Sequence, residues 1–334
     1  PAHGALSVRH ATRNFPNREG SKPSGGQLAA VALMDARSVA ATAANGGRLT
    51  PATDLDWTSP ELAGVDLEYR FEPLIYQRRV YNGFGRPEPE AKLVFGPNIA
   101  DWPAMSPLPE HLLLRVASVI TDAVTTTDEL IPSGETSSLR SNPLKLAEFT
   151  LSRKDPDYVG RARETQELEK ARLADPAAPD LLARVRALFA LCDAAILRDA
   201  PDLGNVGIGS TIFAMKPGDG SAREQAASCQ KVLGGWANLA VEYATKRYRS
   251  NLINWGMLPF LVDGDLAASL HVGDWLVVPH VRQLVATAAP VMAGYVTSES
   301  GPARRIELRL RDLTDDERRI ILDGCLINFY NSKR

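Results

Sequence analysis

Gly218-Asp219-Gly220-Ser221-Ala222-Arg223-Glu224-Gln225 is the stretch on which the fold of this chain turns. Upstream, Gly207-Ile208-Gly209-Ser210-Thr211-Ile212-Phe213 has the composition of a strand leading into the glycine loop, and the hydroxyl and the arginine stand where a helix starts. Strand, glycine loop and helix in that order predict an α/β protein. The first-turn N–H groups and the helix dipole then make the loop an anion site. A serine held beside an arginine can donate a hydrogen bond there, or lose its proton if the local field stabilises the alkoxide. Such a turn also serves as a plain helix cap, so the residues around it carry the decision.

Those residues form an ordered series. Leu233-Gly234-Gly235 leads into Ala237-Asn238-Leu239-Ala240, and then into Tyr248-Arg249-Ser250-Asn251-Leu252-Ile253-Asn254-Trp255-Gly256-Met257-Leu258-Pro259. Earlier come Asp122-Ala123-Val124-Thr125-Thr126-Thr127-Asp128-Glu129 and Ile131-Pro132-Ser133-Gly134, then Arg140, and near the start Thr12-Arg13-Asn14-Phe15-Pro16-Asn17-Arg18. Near the end, Leu313-Thr314-Asp315-Asp316-Glu317 opens a helix through Gly324 and Asn328. The series resembles the aconitase superfamily, whose swivel domain carries Gly-x-Gly-Ser-Ser-Arg-Glu-His, Leu-Gly-Gly and Asn-Leu-x-x-x-Gly-Met/Val-Leu-Pro in this order. The resemblance spans most of the chain and is poor over roughly 51–90 and 151–205.

The resemblance implies a hydro-lyase that reversibly dehydrates a hydroxy-polycarboxylic acid at a [4Fe–4S] cluster. It implies Ser221 as the catalytic base, with Arg223 both catalytic and a carboxylate ligand. Arg13, Arg18 and Arg140 are implied as further substrate-binding arginines, and Asp128, Gly218 and Gly220 as structural residues near the site, with Asp128 capping a helix or orienting its turn. Planar guanidinium forks suit carboxylates, and the alkoxide of a serine base needs backbone N–H groups and cations around it. Three positions depart from the family: Ala222 stands for its second serine, and Gln225 and Glu129 for histidines. A relay through position 225 is thereby lost, which opens the choice of hydroxy acid.

Three cysteines, Cys192, Cys229 and Cys325, lie far apart without a C-x-x-C. They fit a reducing compartment, hence a cytoplasmic location; Cys192 and Cys325 read as buried apolar residues, and Cys229, the nearest to Ser221, is one candidate ligand, which does not make a cluster site. In the family the ligands precede the Arg13/Arg18 segment. The chain is therefore expected to be the C-terminal part of a longer hydratase, or a subunit whose partner supplies the cluster-binding region.

The remaining composition limits the alternatives. Of 334 residues, 44% are hydrophobic and 23% charged, as in ordinary globular proteins. A net charge of −2 and the lack of a basic, aromatic-rich stripe argue against nucleic acid, although an RNA- or polycarboxylate-binding homologue without catalysis is the rival reading. No apolar run approaches the about 20 residues of a membrane span, so no membrane partner is expected.

The domain reading follows. Residues 1–50 are expected to be a C-terminal remnant of the cluster-binding domain, including a helix from Gln27 to Asn45 stopped by Gly46-Gly47. The proline- and acid-rich stretch 51–110 reads as a linker, with short strands between Tyr69 and Tyr81. Residues 111–334 read as a swivel domain, a mixed β-sheet flanked by helices. It carries a helical insertion at about 151–205: a charged, exposed helix over 155–175 and an apolar-striped one over 179–199. Strands are expected over Leu112–Val119, Asp274–Val278 and Arg304–Leu310, and Lys216 and His280 are expected on the surface.

Overall fold

The computed structural model describes residues 34–192, 202–298 and 301–333, except 57, 61–62, 65–67, 69–70, 75–84 and 93, together with two short strands near the start. Its contacts divide the chain into two compact units, residues 1–13 with 24–95, and 14–23 with 96–334.

In the first unit, Ser7–Val8 pairs in parallel with Ala29–Ala30, and helix α1 covers Ala36–Ala44. The helix expected from Gln27 therefore starts later. Asp35 caps it, its carboxylate accepting the N–H groups of Arg37 (2.9 Å) and Ser38 (3.2 Å), which fixes the first turn at that residue. Most of Tyr69–Tyr81 lies outside the described residues.

The second unit is built on a mixed sheet. Its strands are β1 (His111–Ile120), β3 (Val206–Ala214), β5 (Gly235–Ala240), β6 (Leu258–Leu261), β7 (Trp275–Val278), β8 (Val291–Thr297) and β9 (Arg304–Arg309). Two short strands, β2 (Thr125–Thr126) and β4 (Pro217–Asp219), pair with each other apart from it. Neighbours β1, β3, β5 and β6 run parallel, so each link between sequential members must cross over, and each link contains helix. The helices in these links are α2 (Thr127–Leu130), α3 (Pro143–Ala147), α4 (Tyr158–Ala174), α5 (Pro179–Ala190), α6 (Arg223–Val232) and α7 (Lys246–Asn254).

The expected α/β class is present, but the sheet closes into a seven-stranded barrel in the order β8-β9-β6-β5-β3-β1-β7. β7 pairs antiparallel with both β1 and β8, and the last seam is the single pair Arg309↔Leu261, beside which Arg309 holds Asp263 at 2.8 Å. Alternation explains the long apolar strands. Leu112, Leu114 and Val116 join one core with Phe213, Leu239, Phe260 and Leu276, whereas Leu113 joins a second core under α5. Strands covered on both faces need apolar residues at every position, and all nine residues of β3 are buried.

Two helical expectations change. The charged helix α4 is not simply exposed: Tyr158, Ala162, Thr165 and Arg172 are buried on it. Arg172 donates to Leu203 O (2.6 Å) and to both oxygens of Glu169 (2.7 Å each), and Glu169 accepts the N–H of Ile208 (2.9 Å), tying α4 to β3. Beyond α8 (Val281–Ala286), the terminal helix is two helices, α9 (Asp315–Asp323) and α10 (Leu326–Asn331). Gly324, at φ +95°, breaks them where a Cβ would stand 2.2 Å from Ser106 O. Cys325 accordingly lies at the break and not inside a helix. Among the described residues no helix is long and apolar enough to cross a membrane.

Candidate functional site

β1 and β3 are parallel neighbours, so their C-terminal ends emerge side by side. The chain leaving β1 forms β2 and the chain leaving β3 forms β4, and these pair, with Thr125 opposite Pro217 and Thr126 opposite Asp219. The Thr-Thr-Asp loop and the glycine loop, some 90 residues apart in sequence, are thereby one structure. The carboxyl ends of parallel strands are where ligands bind in many α/β proteins.

The glycine loop fits only with glycine at two places. Gly218 has φ +99°, and a Cβ there would lie 2.4 Å from the ring of Tyr248. Gly220 has φ +137°, and a Cβ would lie 2.1 Å from Thr127 Oγ1. That same Oγ1 accepts the N–H of Ala222 at 3.2 Å. Between these anchors Ser221 is exposed. Ala222 takes the N-cap position of α6 without a side-chain cap, as alanine must. Glu224, the acid of the first turn, accepts Trp255 Nε1–H at 3.1 Å. The result is a helix start that presents its dipole and uncapped N–H groups beside Ser221, with Arg223 half-buried one turn position on.

Asp128 does not cap a helix. Thr126 caps α2 in a reciprocal box: its Oγ1 accepts Glu129 N–H at 3.2 Å, while Glu129 accepts Thr126 N–H at 2.7 Å. Asp128 instead pairs with Arg153, which also pairs with Glu135. Arg140 is exposed and donates to Ser133 O at 3.3 Å. Arg13 and Arg18 lie outside the described residues. Gly218, Gly220, Ser221 and Arg223 are thus gathered on the segment that pairs with the Thr125–Asp128 loop. Lys216 is half-buried and pairs with Glu242 at 3.0 Å. His280 is also half-buried, beside Glu110 at 3.5 Å.

The residues that support the loop from below were not singled out by sequence. Tyr248 is fully buried, and its hydroxyl accepts Gln230 Nε2–H (2.9 Å) and Asn238 Nδ2–H (2.8 Å). Burial holds this phenol well above its usual range, so it stays neutral. Thr245 Oγ1 donates to Gly218 O at 3.3 Å. The only sequence signal for this platform is an aromatic at the helix position facing a glycine that needs positive φ.

The three cysteines do not fit a cluster. Cys192 follows α5, Cys229 lies in α6 and Cys325 precedes α10, and all are buried. Burial pushes the Cys192 thiol up to about 11 and the Cys229 thiol up to about 12, the opposite of what thiolate ligands need. Among the described residues no group of His, Cys, Asp and Glu is arranged to hold a metal ion.

No protein-family profile matches the chain, and no curated protein sequence matches it. Among solved structures it is similar to the 3-isopropylmalate dehydratase of Methanocaldococcus jannaschii. The identity is 19% and the TM-score 0.40, over 67% of this chain and 95% of that one.

Proposed function

We propose that this chain is the swivel-domain part of an aconitase-like hydro-lyase, acting on a hydroxy-polycarboxylic acid. The observation that carries the reading is the glycine loop, which sets an exposed Ser221 at the uncapped start of α6 and against the Thr125–Asp128 loop.

In this reading Ser221 removes the proton from the carbon next to a substrate carboxylate. Its alkoxide is stabilised by the first-turn N–H groups of α6 and by Arg223. Arg223 also holds a carboxylate, joined by Arg140 and by Arg13 and Arg18. The cysteines of this chain do not fit a [4Fe–4S] cluster, so the reading places its ligands in a further cluster-binding region or a partner subunit. A cytoplasmic location is part of the same proposal.

One observation favours the non-catalytic rival, a polycarboxylate- or RNA-binding homologue. Glu129, which stands where the family has a histidine, is committed to the capping box of α2. The test is Ser221→Ala in the protein reconstituted with its cluster-bearing part. Loss of turnover by about 10² or more with substrate binding retained supports the base assignment. Normal turnover overturns it, and salt-sensitive RNA binding without lyase activity selects the rival.

A further inference from the structure

The last turn of α6 holds a second feature that the Ser221 loop does not use. Lys231 is 6% exposed, and its Nζ has no hydrogen-bond partner among the described residues. The amine lies 3.7 Å from the centroid of the Trp236 ring. Lys231 and Trp236 both line a cavity of about 230 Å³, together with Gln166 and Lys170 of α4 and Met105. A neighbouring cavity of about 400 Å³ shares Gln166 and Lys170 and adds Lys145, Arg163 and Glu148.

An ammonium buried without acceptors is costly, and the ring face of Trp236 supplies attraction but no hydrogen-bond acceptor atom. The acids lining the two cavities are already engaged. Glu169 is held by Arg172 and Ile208 N–H, and Glu148 by Arg163. Of the cations lining the two cavities, Arg163 pairs with Glu148 and Lys170 with Glu167, which leaves Lys145 and Lys231 without a carboxylate partner among the described residues. Burial pushes the Lys231 amine down to about 7, so the charge that would greet an anion is easily gained when one arrives.

We propose that this paired cavity is a binding site for a small organic carboxylate, with Lys231 as the residue that pairs with the carboxylate group. The site lies at the opposite end of α6 from the Ser221 loop, Lys231 standing about 12 Å along the helix from Arg223 at 1.5 Å per residue. It does not depend on the hydro-lyase reading. A ligand seated there would touch the same helix whose start carries the anion loop.

The test uses the full chain and, beside it, the chain with Arg223→Gln, which weakens carboxylate binding at the Ser221 loop. Succinate is titrated calorimetrically beside succinamide, its uncharged match, while the Lys231 amine is followed by NMR. The expected result is succinate binding, none for succinamide, and an upward move of the Lys231 titration. Adding Lys231→Met should weaken succinate at least about tenfold. The NMR arm needs no substitution at Lys231, so it stands even if that variant misfolds. Succinate binding that ignores Lys231→Met overturns the site. So does a Lys231 resonance unmoved by succinate, which would mean that the cavity holds water only. Binding abolished by Arg223→Gln alone would assign the carboxylate to the Ser221 loop instead.

Discussion

Thr127 Oγ1 accepts the N–H of Ala222 at 3.2 Å, joining two loops 95 residues apart. It does so from a buried side chain, on the residue that follows the exposed Ser221. Replacing the hydroxyl by a methyl group keeps the shape and leaves that N–H without its acceptor. Thr127→Val should cost about 1–2 kcal/mol in urea unfolding. The Ala222 amide should also exchange faster with solvent relative to the core strands. Unchanged exchange at Ala222 would show that the bond does not hold the loop.

Gly220 faces the same Oγ1, so Gly220→Ala meets two obstacles, the contact and a backbone at φ +137°. Thr127→Ala would remove the first obstacle but not the second. Gly220→Ala should destabilise by about 2 kcal/mol or more, and adding Thr127→Ala should recover only part of the loss. Full recovery in the double variant, measured by denaturant midpoint, would show that the backbone conformation carries no strain.

The strands were legible because β1 and β3 are buried on both faces, and Leu112-Leu113-Leu114 states this without ambiguity. Barrel closure was not. It rests on one backbone pair, Arg309↔Leu261, which leaves no pattern in the sequence. The site loop was legible as a motif through Gly218, Gly220, Ser221 and Arg223. Its partner loop was too, but not the chemistry within it. Asp128 and Thr126 are both good caps, and sequence does not say which carboxylate Arg153 will draw away. Gly324 was read as a helix residue, because the close approach of Ser106 O that demands glycine comes from more than 200 positions earlier.

Glu169 and Arg172 are the tie between α4 and the barrel, and both are largely buried. Glu169 also accepts the Ile208 N–H at 2.9 Å, so removing its charge leaves Arg172 buried without its bidentate partner. Glu169→Gln should destabilise by about 3 kcal/mol in chemical denaturation. A loss below about 0.5 kcal/mol would mean the pair behaves as an exposed ion pair.

The cysteines offer a direct check on the cluster. With the Cys229 thiol near 12 and the Cys192 thiol near 11, native protein at pH 8 should hold almost no thiolate at either. Alkylation followed by intact mass should be slow at both, and fast once denaturant is added. Rapid native labelling of Cys229 would overturn its assignment as a buried apolar residue.

Lys231 gives the sharpest pH prediction, and its sign follows from the protons bound. In the folded protein burial lowers its amine from 10.5 to about 7, opposed by Glu169 and Cys325. Between those values the unfolded chain binds the proton and the folded chain does not, so stability rises with pH. The penalty is full below about 7 and is relieved as pH approaches 10.5, at up to about 1.4 kcal/mol per unit. Lys231→Met keeps an unbranched side chain, one heavy atom shorter, and removes the titrating group. It should be more stable than the unsubstituted protein at pH 6, with the gap closing as pH rises toward 10. Parallel stability curves for the two proteins across that range would show that Lys231 keeps an ordinary amine, and with it an acceptor to solvate its charge.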